Sequence, residues 1–423
     1  MGGPFLRVSL IIQPTTIPII KAQVERAAKC GLVFLERGLF DKARAHLQVV
    51  KEVLVRTQGE ASDKTQEAML ALAATYWGLG QLDQAISLQR AVVDARDRVL
   101  GPMHEQTLLA MDPLGKSYWL HGLHREALEL QQTTTERMKI VIGPSHALYP
   151  QALAAMDNLG VTLGAWRRYA DSAKVHREVL EARKMALGET HPDTLATKAN
   201  LAMALLDMGR LKEAKANMEV VYEERQRQLG KEHPWTLWAL CYLAKVWIAT
   251  GELELAEDTI LWGIEAGVRI LTETHHGVLM GRGVLATVYS RQGRLEEAEA
   301  LTLETVDLIQ EAFGVAHPDC VMGRLKPGHL YVLKGELVLA LRSCRVALEG
   351  VDMRITRSHP LGMEVEKLVA VLENPSSSAD DLAKLVPPMR SSGEAPEENE
   401  RGKEPAGTFG ASLRKRSSRA LTW

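Results

Sequence analysis

The feature that most constrains this chain is an internal repeat with a period of 42 residues. His-Pro pairs recur on that period, and His275 falls on the same grid without its proline. His104 lies two periods before His191, with three extra residues between them. A repeat of this length is one supersecondary unit that must stack on its neighbours to bury its apolar face. The pairs are His191-Pro192, His233-Pro234, His317-Pro318 and His359-Pro360.

Further columns of residues share this period. The small residues are Gly31, Ala73, Gly115, Gly160, Ala202, Ala244, Ala286 and Gly328. A large apolar or aromatic residue such as Trp247 follows three positions later, and an alanine nine positions after that. Between them stands a turn glycine, replaced once by Arg167, at Gly38, Gly80, Gly122, Gly209, Gly251, Gly293 and Gly335. One step of the small-residue column is three residues longer than the others, and the extra residues are expected in the loop near Gly143–Pro150.

One repeat shows how these columns translate into structure. Residues 192–208 carry apolar side chains at helical spacing and begin with a proline, which suits the first turn of a helix. Gly209 then ends this helix A, and residues 211–229 form helix B. The unit is therefore an antiparallel helical hairpin. About eight such pairs fit between residues 22 and 358, which predicts an all-α solenoid.

The predicted domain organisation has three parts. Residues 1–21 are expected to form a flexible leader, because their apolar runs are short and interrupted by prolines. Residues 22–373 form the solenoid, closed by a capping helix over residues 360–373 with a one-sided apolar stripe. Residues 374–423 turn to Ser, Pro, Gly and mixed charge, which predicts a disordered tail. Its one basic cluster, residues 414–419, is expected to be a solubilising terminus, with a nuclear-import or kinase-target segment as the alternative.

These columns resemble the tetratricopeptide repeat. The period and the linker over residues 187–195 are similar to the kinesin light chain variety, as are Asn158-Leu159-Gly160 and Asn200-Leu201-Ala202. The resemblance implies a right-handed superhelix whose A helices line a concave groove that binds peptides or proteins. It also implies that Asn158 and Asn200 touch the backbone of a bound peptide. No three successive heptads occur in residues 1–30, so binding to a kinesin heavy chain is not expected.

Composition narrows the function classes. The formal net charge is −2, so the chain lacks the excess of Lys and Arg that bulk capture of nucleic acid or an anionic membrane requires. No apolar run reaches the length of a membrane span. Four cysteines without a CxxC pair indicate neither a disulfide framework nor a zinc site, and favour a reducing, cytoplasmic setting.

Motifs for catalysis and metal binding fail on spacing and context. Gly115-Lys116-Ser117 lies within a predicted helix and lacks the earlier glycine of a phosphate loop. Gly281-x-Gly283 follows no strand, so it is not a dinucleotide fingerprint. The recurrent histidines are too far apart in stacked hairpins to share a metal and are expected at helix starts. No cofactor and no enzymatic activity are predicted.

The main prediction is a non-enzymatic scaffold that binds a protein or peptide ligand in its groove. The register places the candidate contacts on A helices, where lysines would favour acidic ligands; these contacts are Asn158, Asn200, Lys116, Lys245 and Arg291. Trp77 and Trp119 are further candidates for groove exposure. The alternative is a regulatory or sensor repeat fragment of a nucleotide-binding protein of the NB-ARC or NACHT type. An enzyme with an unrecognised site is a third, weaker reading.

Overall fold

A computed structural model describes residues 17–37, 39–313, 318–354 and 360–374 of the chain. These residues form seventeen α-helices and no strand, which confirms the predicted all-α repeat fold. The first nine helices are α1 Ile17–Glu36, α2 Phe40–Gln58, α3 Asp63–Gly78, α4 Leu82–Leu100, α5 Glu105–His121, α6 His124–Val141, α7 Tyr149–Ala165, α8 Tyr169–Leu187 and α9 Pro192–Asp207. The others are α10 Leu211–Leu229, α11 Pro234–Thr250, α12 Leu253–Ile270, α13 His276–Arg291, α14 Leu295–Phe313, α15 Pro318–Lys334, α16 Leu337–Arg354 and α17 Pro360–Glu373.

Odd-numbered helices are the A helices of the repeats, and even-numbered helices are the B helices. The predicted pair over residues 192–208 and 211–229 appears as α9 and α10, within one residue at each boundary. Helix α11 packs on α10 and α12, and it also contacts the A helices on either side, α9 and α13. The hairpins around α11 therefore cover each other's apolar faces.

The chain divides into two compact units. The first comprises Met1–His121 and Glu126–Ala155, and the second comprises Gly122–Arg125 and Met156–Trp423. The second unit holds an extended core in which Trp247 and Tyr222 are among the largest fully buried side chains. Burial of aromatic side chains of this size contributes strongly to stability.

The small-residue column lets helix A approach helix B closely. A Cβ atom at Gly160 would lie 2.5 Å from the His176 ring, and one at Gly328 would lie 2.6 Å from Cys344 Sγ. Ala202 and Ala244 are fully buried at the same register. A larger residue in this column would separate the two helices of its hairpin.

The turns between A and B helices require a left-handed residue. Gly209 has a φ of 77°, a conformation that glycine adopts at little cost. Arg167, the exception noted in the sequence, takes the same conformation with a φ of 57°. The hairpin geometry is therefore kept at this position, although a non-glycine residue is disfavoured there.

The two ends of the chain differ from the sequence expectation in one respect. Helix α1 begins at Ile17, five residues before the predicted boundary of the leader, whereas α17 has the predicted bounds of the capping helix. Residues 1–16 and the tail over 375–423 lie outside the described residues, as do Gly38, His317 and His359. Among the helices that are described, none has the combination of length and hydropathy needed to span a bilayer.

The recurrent histidines that the structure describes cap the N-termini of A helices. In each case the ring Nδ1 accepts a hydrogen bond from the backbone N–H two residues later, at 3.2 Å for His191 and His233 and 3.1 Å for His275. His104 and His146 make the same bond. This geometry confirms that the histidines stand at helix starts. His146 was missed as a member of the grid, although it lies one period after His104.

We expect His233→Ala to lower the free energy of unfolding by about 1 kcal/mol, because it removes the acceptor for an otherwise unpaired amide at the start of α11. His233→Asn should retain most of the stability, since asparagine is a good N-cap residue. Urea unfolding of both variants measures the difference. Equal losses in the two variants would show that the cap is not what His233 contributes.

Candidate functional site

The predicted groove residues lie mainly on the A helices of the second unit. Asn158 is on α7, Asn200 on α9, Lys245 on α11 and Arg291 at the end of α13, and all four are half-buried. Counted from the small residue of its own repeat, each asparagine stands two positions before it, Lys245 one position after it and Arg291 five positions after it. These offsets differ by three, four or seven residues, which are the spacings of one helix face, so the four side chains share one face of their helices. Lys116 lies on α5 in the first unit.

Lys116 and the candidate tryptophans have different environments. Lys116 Nζ lies 2.9 Å from Asp112 Oδ2, one turn earlier on the same helix. Trp77 is 46% exposed, Trp119 is half-buried, and Trp247 is fully buried in the packing column. Among the three, Trp77 therefore offers the largest aromatic surface to a ligand.

Asn200 belongs to a buried polar network centred on Asp157. The Asn200 amide donates to Asp157 Oδ2 at 3.3 Å, and His176 Nδ1 lies 2.8 Å from Asp157 Oδ1. Arg183 also donates to Asp157 Oδ2, at 3.3 Å, and to the Thr197 hydroxyl at 2.6 Å. An ionised carboxylate can only accept hydrogen bonds, and these donors satisfy it. Asn200, a predicted groove contact, thus joins α9 to α7.

Three buried arginines, missed in the sequence, link α4, α8 and α10 to the A helices that follow them. Arg96, Arg183 and Arg225 are each at most 8% exposed. Each donates to the backbone carbonyl ten residues later, in the first turn of the following A helix, at 2.9, 3.0 and 3.1 Å respectively. The repeat period could have revealed these arginines, because Arg183 and Arg225 are 42 residues apart and Arg96 lies two periods and three residues before Arg183.

Arg225 differs from Arg183 in its partners. Its guanidinium lies 5.7 Å from the Trp235 ring centroid and 5.1 Å from that of Trp238. Burial lowers the pKa of Arg225 to about 10, so the group remains protonated at neutral pH. Arg225 therefore interacts with two aromatic rings and a backbone carbonyl, whereas Arg183 at the same register interacts with a carboxylate.

The electrostatics of the groove centre on Lys245 and Asp207. The Lys245 ammonium lies 4.7 Å from the Tyr242 ring centroid, on the same helix. Surrounding protein raises the pKa of the Asp207 carboxyl by excluding water from its charged form, while Lys245 and Arg167 oppose this shift. Asp207 is nonetheless exposed. Charged side chains from α9, α11 and the turn between α7 and α8 therefore lie close together at Asp207.

Distant parts of the second unit also meet near Asp207. Arg167, in the turn between α7 and α8, forms an ion pair with Glu364 on α17. Tyr169 lies next to this pair, and its pKa is raised by burial and then by the charges of Asp207 and Glu364. The A-helix side of this unit therefore curves enough for its last helix to reach its first hairpin.

Metal ligands, thiols and the two glycine motifs are the groups that bear on chemistry other than binding. No group of three or more His, Cys, Asp or Glu residues is arranged to hold a metal ion in the described part of the chain. Burial raises the pKa of the Cys241 and Cys344 thiols to about 12, so neither is a thiolate at neutral pH. Gly115-Lys116-Ser117 and Gly281-x-Gly283 both lie within helices, as expected.

Comparison with known families identifies the repeat. Models of the tetratricopeptide repeat match residues 64–140, 151–223, 193–266 and 278–319, which together make up more than half of the chain. No curated protein matches the sequence.

Solved structures share the fold at low sequence identity. A Rap protein complexed with Competence and Sporulation Factor is 12% identical with a TM-score of 0.53, over 86% of this chain and 99% of that chain. The Rap conjugation gene regulator of plasmid pLS20, in complex with the Phr* peptide, is 13% identical with a TM-score of 0.52, over 78% and 95% of the two chains. Repeats described as those of a Podosopora anserina kinesin light chain are 22% identical with a TM-score of 0.43, over 50% and 97%.

We expect Arg183→Met to destabilise the protein by about 3 to 5 kcal/mol, because it removes one partner from the buried carboxylate of Asp157. Arg225→Met is the matched control at the same register. It removes a similar carbonyl bond, for a smaller loss of about 1 to 3 kcal/mol, and leaves no buried carboxylate behind. Urea unfolding of both variants measures the two losses. Equal losses would contradict a special role for the Asp157 network.

Proposed function

The chain belongs to the tetratricopeptide repeat family, and from this premise we propose that it is a non-enzymatic scaffold that binds peptide or protein segments. The proposed binding surface is the A-helix groove of the second unit. Asn158, Asn200, Lys245 and Arg291 are its candidate contacts.

The observation that carries this proposal is the group of charged side chains around Asp207, contributed by α9, α11 and the turn between α7 and α8. The Asp207 carboxyl is exposed to solvent, yet nearby protein raises its pKa, and Lys245 and Arg167 lie close enough to oppose that shift. An extended segment lying across these side chains would meet several charged groups at once. Polar groups of a binding surface give orientation and specificity to a bound segment.

The charge of the groove favours acidic segments. Lys245, Arg291 and Lys326 contribute cations from three successive A helices of the second unit. Arg167 is paired with Glu364, and Lys245 lies near enough to Asp207 to oppose the rise that burial causes in the pKa of that carboxyl. A segment that carries Asp or Glu would offset these cations, and opposite charges also steer association.

Two similar structures support a peptide ligand by analogy of fold. The Rap protein and the pLS20 regulator were solved with Competence and Sporulation Factor and with the Phr* peptide, respectively. A helical repeat fold of this kind can therefore hold a small partner. The described cysteines, Cys30, Cys241 and Cys344, are free thiols, and we infer a reducing, cytoplasmic setting for the binding.

We expect peptides selected by this protein from a random phage-displayed library to be enriched in Asp and Glu. The double variant Lys245→Glu with Arg291→Glu should bind them at least about tenfold more weakly, since it reverses two groove charges. Fluorescence anisotropy with a selected synthetic peptide measures this change.

The matched control is Lys174→Glu with Lys212→Glu. Both lysines are exposed on B helices, so the control makes the same change in net charge on another surface. It should leave the affinity within about twofold at moderate salt. The groove assignment would be contradicted if both double variants lost peptide affinity to a similar degree, or if the selected peptides were not enriched in Asp and Glu.

A further inference from the structure

A cavity of about 510 Å³ opens between α1, α2 and α3 in the first unit. Its volume falls in the range of small-molecule sites. The buried residues that line it are all apolar, and they are Leu47, Val50, Leu54 and Ala68. The polar residues that border it are all exposed, and they are Glu25, Thr57, Gln58, Lys64 and Glu67. The cavity is therefore an apolar chamber with a polar rim.

The repeat register explains why space is left at this place. Between α7, α8 and α9 the corresponding positions hold the side chains of the Asp157 network, namely Asp157, His176, Arg183, Thr197 and Asn200. Three periods and three residues earlier, in the same order, stand Ala28, Leu47, Leu54, Ala68 and Ala71, and all five line the cavity. The three alanines remove side-chain volume, and none of the five residues carries a hydrogen-bonding side chain. A filled polar junction is thus replaced by an open apolar one.

Leu54 is the residue that most clearly separates this junction from others. Arg96 and Arg225 stand at the same register, and each guanidinium reaches the backbone carbonyl ten residues later on the next A helix. Leucine has no donor for such a contact. Lys64, which lies ten residues after Leu54, borders the cavity instead. The bridge that spans the equivalent space in other repeats is therefore missing between α2 and α3.

The helices around the cavity are held in place by close packing elsewhere. A Cβ atom at Gly31 would lie 2.7 Å from Leu47 Cγ, so α1 already touches α2 as closely as it can. Helix α3 also packs on α2, and its Leu72 and Ala73 are fully buried. A packed backbone relaxes only partly around missing side chains. The space left by the alanines is therefore kept open.

The volume of the cavity limits what can enter it. One turn of an α-helix is about 5.4 Å long and about 10 to 12 Å across with its side chains, which corresponds to about 420 to 610 Å³. The cavity would hold about one such turn, far less than the surface that a specific protein contact buries. Its size therefore favours a small molecule over a protein segment.

The lining decides the chemistry of that molecule. A charged group loses its hydration in an apolar chamber and is stabilised there only by a partner. The buried lining residues offer none, and the Thr57 hydroxyl at the rim donates to the Val53 carbonyl at 2.8 Å. Apolar cavities stay free of water and take up apolar molecules.

We propose that this cavity binds an uncharged apolar small molecule of about the size of a bicyclic hydrocarbon. The body of the ligand occupies the space that the side chains of Asp157 and Asn200 fill three repeats later. The site shares no residue with the proposed peptide groove, and it does not depend on the proposed function.

Naphthalene is a suitable probe, and equilibrium dialysis against the full chain tests the proposal. We expect one naphthalene per chain. The ions 1-naphthoate and protonated 1-naphthylmethylamine should bind at least about tenfold more weakly, because each would bring a charge to an apolar chamber. Affinities equal to that of naphthalene for either ion, or no binding of naphthalene, would overturn the proposal.

The double variant Ala28→Leu with Ala71→Leu fills the cavity from within the chain. We expect it to bind naphthalene at least about tenfold more weakly, and to unfold at a higher temperature because it replaces empty space with apolar contacts. The matched control is Ala22→Leu with Ala45→Leu. Both of these alanines are exposed on α1 and α2 and do not line the cavity, so the affinity should stay within about twofold.

Thermal unfolding followed by circular dichroism shows whether each variant is folded. If the double variant does not fold, Ala28→Leu and Ala71→Leu are tested singly, and each should weaken binding at least about threefold. Undiminished naphthalene binding by the folded filling variants would contradict the assigned site.

Light scattering tests whether a second copy of the chain covers the cavity instead. A dimer that dissociates when naphthalene is added would overturn the proposal, whereas an unchanged molecular mass is the expected result. Peptide selection reports on the groove separately, so failure of either proposal can be told from failure of the other.

Discussion

The packing of each hairpin against the next is the interaction on which the rest of this structure depends. A hairpin of two helices leaves an apolar face that only its neighbour can cover, and the small-residue column allows the close approach that this requires. Gly160 and Gly328 leave no room for a Cβ, and Ala202 and Ala244 are fully buried at the same register. The histidine caps and the buried arginines then fix where α5, α9 and α11 begin relative to the preceding B helices.

Because the repeats share one backbone register, the same position can carry different side chains in different repeats. The junction after α8 holds a buried carboxylate with His176 and Arg183, whereas the junction after α10 holds Arg225 between tryptophans. The junction after α2 has neither and opens into an apolar cavity lined by Leu54. Helical packing is kept in all three, so binding properties can vary from repeat to repeat without a change in fold.

Periodicity predicted the fold because helix length, turn glycines and helix starts depend on local sequence. The bounds of α9, α10 and α17 follow from Pro192, Gly209 and their apolar spacing. The contacts of the candidate site were harder to predict from the sequence. Asn200 could be placed on an A helix, but its bond to Asp157 joins residues 43 apart and depends on how two hairpins meet. The ion pair of Arg167 with Glu364 spans 197 positions and has no periodic signal. The three buried arginines did have such a signal, because they recur on the repeat period.

Amide hydrogen exchange of an Ala244→Leu variant tests the central claim most directly, because this change separates α11 from α12 at a fully buried position. If hairpins depend chiefly on their neighbours, protection should fall most in α11 and α12, less in α9, α10 and α13, and little in α16 and α17. A uniform loss of protection throughout the second unit, or no loss in α11 and α12, would contradict the account.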